Sequence, residues 1–288
     1  MIKLQSITLP EGFLREETRD GYTISAKMKE VWAVELDLLQ CFVNVCEKNN
    51  LRYFMDAGTL LGAVRHQGFI PWDDDVDVTM LWDDYVKLRE IAEREFKGPY
   101  VFQSQSRRFC KLRNTETTAI SRRGFKMISP TNHGIWIDIF PLVGLPPAPE
   151  REQFIREILE CKKQTELIMR ENRDNPSVGV EDELSAKTAQ FERLAARYPI
   201  SPATKKVASI CPFTGNDHVI FNYWDFQDTV PLPFEMLTLA APRGYKNYLR
   251  TRYGVWKNPV PQFSHGEIFF DTDRSYEYWM TQPSLPED

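Results

Sequence analysis

Residues 73–78 read Asp-Asp-Asp-Val-Asp-Val. In an extended strand alternate side chains share a face, so Asp75 and Asp77 aim at one point while Val76 and Val78 turn to the core. Two carboxylates about 4 Å apart repel by roughly 4 kcal/mol at an effective dielectric near 20, so a half-buried pair protonates, splays into water or holds a cation. Oxygen ligands favour a hard ion, Mg2+ or Mn2+. A solvated acidic turn, or a helix capped by Asp83 and Asp84 with the earlier aspartates exposed, accounts for the same residues. A calcium hand does not: counted from Asp73, Val78 stands where the loop needs Gly and Asp84 where it needs Glu. Upstream, the apolar run Tyr53-Phe54-Met55 reads as a buried strand that stops at Gly58-Thr59, where a short helical stretch, Leu60 to His66, begins. Such a junction is an anion site. Free backbone N–H groups and the positive end of the helix dipole face a phosphate, with Gly58 permitting approach and Thr59 offering a hydroxyl. No Gly-Lys-Ser/Thr follows, so a Walker phosphate loop is excluded.

A third acid stands in the stretch His133 to Pro141, where Ile135, Ile137 and Ile139 take one strand face and Trp136 and Asp138 the other. A lone buried acid needs a partner or a raised pKa. The cation required by Asp75 and Asp77 is one such partner; an Arg or Lys in a structural ion pair is the other.

Taken together, Gly-Thr-Leu-Leu-Gly-Ala-Val-Arg-His-Gln-Gly-Phe-Ile-Pro-Trp-Asp-Asp-Asp-Val-Asp at 58–77 resembles the signature of the LicD family, which includes bacterial phosphocholine transferases and, more distantly, the fukutin-related proteins. Ile-Asp-Ile-Phe-Pro at 137–141 matches a second family motif, and Phe109 to Asn114 resembles a basic element. The resemblance implies an α/β (α+β) fold of the nucleotidyltransferase, polymerase-β-like type, with a mixed sheet, flanking helices and a helical C-terminal extension. It implies metal-dependent transfer of a phospho-alcohol, phosphocholine first, from a CDP-alcohol to a sugar hydroxyl of a cell-surface glycan precursor, glycan or lipid-linked. Asp75, Asp77 and Asp138 become the catalytic and metal-binding residues, with Asp138 offered as acceptor of the hydroxyl proton. Gly58, Thr59, Lys111 and Arg113 become the donor-binding residues. Lys111 and Arg113 on a solvated edge strand remain the alternative for that last pair. Pro233-Phe234-Glu235 followed by Tyr245, Tyr248-Leu249 and Tyr253-Gly254 resembles further family elements, but Met236 stands where the family has Gly, so Glu235 is read either as a ligand contact or as a backbone tie.

The elements that must position these groups follow from periodicity. Met28, Val31, Trp32, Leu36, Leu39, Val43 and Cys46 recur at helical spacing over 24–49, and Asp83 to Phe96 forms a second helix with acids in its first turn. Short strands are expected at Tyr100–Gln103, Phe109–Leu112 and Thr118–Ser121. Pro141, Pro146, Pro147 and Pro149 mark a boundary, giving a catalytic core over 20–145 and a helical and mixed part over 150–288. In the latter, Glu152–Arg173 and Leu184–Tyr198 read as helices around a turn at 174–179. Val219–Trp224 and Leu237–Ala240 read as strands, and Pro242–Tyr253 as a helix closing at Gly254. Aromatic residues there suit a quaternary ammonium as well as a core, and no choline box is assigned.

A chain of 288 residues with 42% hydrophobic content can bury a large core. Net charge −5 argues against a nucleic-acid partner. No run approaches the ~18 apolar residues of a membrane span, so at most peripheral membrane contact and a cytoplasmic location are expected. Five cysteines without a Cys-x-x-Cys pair read as free thiols, and the four histidines lack zinc spacing. A DxD glycosyltransferase and a non-catalytic nucleotide-binding module are the rival readings.

Overall fold

The computed structural model describes residues 2–105, 109–122, 132–174, 180–211, 217–257 and 268–286. His265 and residues 175–179 of the turn expected at 174–179 lie outside them. Asp20 and Gly21, both at positive φ, turn a hairpin of β1 (Glu17–Arg19) and β2 (Tyr22–Ile24). Ser25 then caps α1 (Ala26–Lys48), its Oγ accepting from the Met28 N–H at 3.1 Å. The helix buries Trp32, Leu36, Leu39, Phe42 and Cys46, the stripe its spacing predicts. It leads into β3 (Phe54–Met55), α2 (Ala57–His66), β4 (Asp77–Leu81) and α3 (Trp82–Glu95). The strand therefore starts at Asp77, and Asp75 stands just before it.

Next come β5 (Tyr100–Gln105), β6 (Phe109–Asn114), β7 (Thr118–Ser121) and β8 (Trp136–Leu145). β8 is longer than expected. Pro141 does not break it, sitting beside Met80 of β4 inside the strand, and the chain leaves the sheet only at Pro146. β8 is the axis of a mixed sheet, running parallel to β4 and antiparallel to β6 and to β9 (Lys206–Ser209). β3 flanks β4, β5 flanks β6, and β10 (Ile220–Asn222) flanks β9. Strands from beyond residue 150 thus extend the same sheet.

Between these, α4 (Glu150–Asp174) and α5 (Val180–Ala196) form a helical pair that buries Phe154, Ile158, Phe191 and Leu194. β11 (Thr229–Phe234) and β12 (Leu237–Pro242) make a separate hairpin, so Pro242 ends a strand and α6 begins only at Tyr245, running to Tyr253. Gly254, at φ 64°, stops it. β13 (Ile268–Asp271) pairs with β7, and α7 (Tyr276–Met280) follows. Among the described residues no helix is long and apolar enough to cross a membrane.

Candidate active site

Strand register sets three chargeable residues in one row. Asp77 on β4 stands beside Asp138 on β8, and Lys111 on β6 stands on Asp138's other flank. Side chains level with one another across a sheet share a face, so the row is a consequence of pairing rather than of side-chain choice. Val76 and Val78 are fully buried on the opposite face, which leaves Asp75 on the side of Asp77. One carboxylate oxygen from each of Asp75, Asp77 and Asp138 lies within 4.8 Å of the others. Asp73 and Asp74 form a second close group with Asp75.

The cationic neighbours of this row are committed. Lys111 Nζ stands 2.5 Å from Asp138 Oδ1, and Trp136 Nε1 donates to Asp138 Oδ2 at 3.1 Å. The ammonium also lies 4.2 Å from the Trp136 ring centre. Arg113 donates from Nε to Gln103 Oε1 and from Nη1 to the Gly134 carbonyl, each at 2.8 Å. β6 lies between β5 and β8, and both basic residues are buried, so the solvated edge-strand alternative does not hold. Burial pushes the Lys111 ammonium below its ordinary value, Asp138 opposing the shift, and brings Arg113 down to about 10. Asp77 moves the other way: burial first, then Asp75, Asp138, Asp56 and Asp73, hold its carboxyl well above the usual range.

The strand-to-helix junction differs in detail from the expected phosphate cradle. Its N-cap is Asp56, whose Oδ1 accepts from the Ala57 N–H at 2.9 Å and from the Tyr248 hydroxyl. Ala57 sits at φ 40°, a conformation that L residues avoid, held by Asp56 and by its N–H to Tyr248 Oη at 3.1 Å. The Thr59 hydroxyl accepts from the Asp77 N–H at 2.8 Å, so it positions the start of β4. A Cβ on residue 58 would stand 2.5 Å from Asp73 Oδ2, so the bare glycine is what lets the Asp73 carboxylate lie against α2. Gly62 in turn faces the Gly68 carbonyl, which brings the loop leading to the aspartates against the helix. Glu235 ties backbone down: Oε1 accepts from the Phe69 N–H at 3.1 Å and from Arg19 Nη1 at 2.7 Å.

Two residues of the site, Glu35 and Asp56, escaped the motif reading, and the contact made by Tyr248 did too. Glu35 on α1 is buried beneath the acidic loop, its Oε2 has no partner among the described residues, and burial with the fields of Asp75, Asp74, Asp73 and Asp77 drives its carboxyl well above the usual range. One turn earlier on the same helix Trp32 Nε1 donates to the Asp73 carbonyl at 3.0 Å. The signal for Glu35 was an acid beside Leu36 in an otherwise apolar stripe. Asp56 carried a signal too, a cap-forming residue just before the helix. Tyr248 lies in a stretch that resembles a family element, but its hydroxyl's bond to Asp56 joins distant parts of the chain and has no local signal.

Residues 50–172 match the family described as LicD/FKTN/FKRP, nucleotidyltransferase domain. Over 256 residues, 82% of this chain and 93% of the relative, the sequence is 25% identical to the lipopolysaccharide cholinephosphotransferase LicD of Haemophilus influenzae. An uncharacterized protein of Rickettsia prowazekii, RP689, is 38% identical over 102 residues, 34% of this chain and 36% of its own length. The human ribitol 5-phosphate transferase FKRP is 48% identical over 53 residues, 18% of this chain and 11% of that protein. Residues 50–172, which carry the aspartate row and its Gly-Thr helix, are thus the part of the chain that matches the LicD family.

Proposed function

We propose that this protein transfers a phospho-alcohol, phosphocholine before ribitol or glycerol phosphate, from a CDP-alcohol to a sugar hydroxyl of a glycan precursor. The observation that carries the reading is the convergence of Asp75, Asp77 and Asp138 at the centre of the sheet. The similarity to a cholinephosphotransferase and to a ribitol 5-phosphate transferase supports a phosphotransferase. The mixed sheet with its acids on adjacent central strands supports the nucleotidyltransferase fold type.

The residues present suit Mg2+ or Mn2+. Three carboxylate oxygens within 4.8 Å of one another form an all-oxygen donor set, and an ammonium group already stands against one of them. Asp75, Asp77 and Asp138 would hold the ion, which when bound neutralises phosphate charge and steadies the leaving group. The chain's own residues do the positioning: Thr59 fixes the start of β4, Gly58 admits Asp73, and Trp136 orients Asp138. In the transfer the sugar oxygen forms a bond to the phosphorus that carries the alcohol. The bond from that phosphorus to the bridging oxygen breaks and CMP leaves with the electron pair. The hydroxyl proton passes to a carboxylate of the row, Asp138 being offered for it. The five cysteines are all free thiols, which supports a reducing, cytoplasmic setting.

The test is product analysis with CDP-choline, CDP-ribitol and CDP-glycerol, Mg2+ and a lipid-linked glycan acceptor. The reading expects CMP, with the phospho-alcohol on the acceptor. Release of CDP instead of CMP would place the chemistry with glycosyltransferases, and binding without turnover across the panel would make the protein a binding module.

A further inference from the structure

We infer that Arg252, near the end of α6, binds the phosphates of the donor beside the aspartate row. The inference rests on the phosphate-bearing donor proposed above and adds a residue outside the region matched to the family. Arg252 Nη1 is buried and has no hydrogen-bond partner among the described residues. A guanidinium stays charged at any ordinary pH, and although Tyr253 engages the Arg252 guanidinium, a buried Nη1 without an acceptor is costly unless an anion comes to it.

Its place in the fold says which anion. One turn earlier on α6, Tyr248 binds Asp56 and the Ala57 N–H, pinning α6 to the first residues of α2. Asp56 in turn donates its N–H to the Asp77 carbonyl at 3.0 Å, so the anchored helix lies against the row itself. Arg252 sits close enough to Asp56 for each charge to act on the other, and Tyr253, with its ring 5.8 Å from the guanidinium carbon, lies in the field of Asp56 and Asp77. Asp56 does not use up the guanidinium: its Oδ1 accepts from Tyr248 and Ala57, and Arg252 Nη1 keeps no partner among the described residues.

Charge balance points the same way. With all three carboxyls ionised, as cation ligands must be, Asp75, Asp77 and Asp138 together with Lys111 carry a net −2, which one divalent cation cancels, so a diphosphate brought there still needs positive charge. Lys111 and Arg113 are bound to Asp138, Gln103 and Gly134. Arg65, whose Nε and Nη2 are also buried without a partner, faces Asp20 at the far end of α2. Arg252 is therefore the guanidinium placed to take a phosphate, and its fork suits two phosphate oxygens where a lysine offers a point charge.

The test compares the parent with Arg252→Met and Arg252→Lys by calorimetric titration of inorganic pyrophosphate, CDP-choline and cytidine in saturating Mg2+, and of Mn2+ alone. Arg252→Met should weaken pyrophosphate and CDP-choline by roughly 10- to 100-fold. Cytidine and Mn2+ should stay within about twofold of the parent, and Arg252→Lys should recover part of the phosphate affinity. If Arg252→Met does not fold, Arg252→Lys alone decides, with loss of pyrophosphate affinity still required. Unchanged pyrophosphate affinity in a folded variant, or an equal loss for cytidine, would overturn the inference and leave Arg252 as a structural counter-charge to Asp56. A parent that binds pyrophosphate through Arg252 but ignores every CDP-alcohol would instead overturn the donor proposed above while this inference stands. A parent that binds neither overturns both.

Discussion

Lys111 and Asp138 show how one pair can serve two ends. The ammonium stands 2.5 Å from Asp138 Oδ1 and offsets part of the repulsion along the row, so it competes with any cation that needs the same oxygen. Lys111→Met should therefore lower metal-free stability by about 3 kcal/mol, since a buried pair is broken, and tighten Mn2+ binding by several-fold. Denaturant unfolding in chelator and a Mn2+ titration measure the two effects. A variant that loses stability and also binds Mn2+ more weakly would make Lys111 part of the cation site rather than its competitor. Glu35 gives a pH signature. Its carboxyl is held well above the usual range, so the folded protein keeps a proton that the unfolded chain releases near pH 4. That stability is fully present below the unfolded value and is lost as pH rises toward the folded one. In chelator, the parent should lose stability relative to Glu35→Gln by up to about 1.4 kcal/mol per pH unit above pH 5, until the folded carboxyl ionises. Parallel pH profiles would show that Glu35 ionises normally.

At the scale of elements, α2 and the loop after it act as one piece. Gly58 and Gly62 let the Asp73 carboxylate and the Gly68 carbonyl approach the helix, so a side chain at residue 58 must displace that carboxylate. Gly58→Val should cost about 1–3 kcal/mol through overpacking and weaken Mn2+ as well as donor binding, because Asp73 and Asp75 shift together. A folded variant with parental Mn2+ affinity would separate the loop from the cation site. Local signals made much of this readable in advance. The apolar stripe of α1, the valines alternating with Asp75 and Asp77, and the isoleucines flanking Asp138 each obey a short period. Elements governed by tertiary context were not readable. β11 carries Pro231 and Pro233, which argue against a strand, yet among the described residues it pairs with β12 alone, and on its other edge missing N–H groups are harmless. Pro141 likewise looked like a terminator, but the strand runs on through it to Leu145.

At the scale of the whole molecule, the site exists because distant segments meet. The parallel pairing of β4 with β8 sets Asp77 beside Asp138, the antiparallel pairing of β6 with β8 adds Lys111, and α6 brings Tyr248 to Asp56. Motifs named the three aspartates, but no periodicity states which strands pair or in what register. Hence the ion pair at Asp138 and the hydroxyl at Asp56 had to be seen. The net charge of −5 also hides the local concentration of acids at the centre of the sheet. The measurement that tests the central claim most directly is a calorimetric Mn2+ titration of the parent, Asp75→Asn, Asp77→Asn and Asp138→Asn, with and without CDP-choline. The predicted result is saturable binding to the parent that CDP-choline tightens, weakened roughly 100-fold in each variant. A parent that takes up no Mn2+, or variants that bind it as tightly as the parent, would contradict the account.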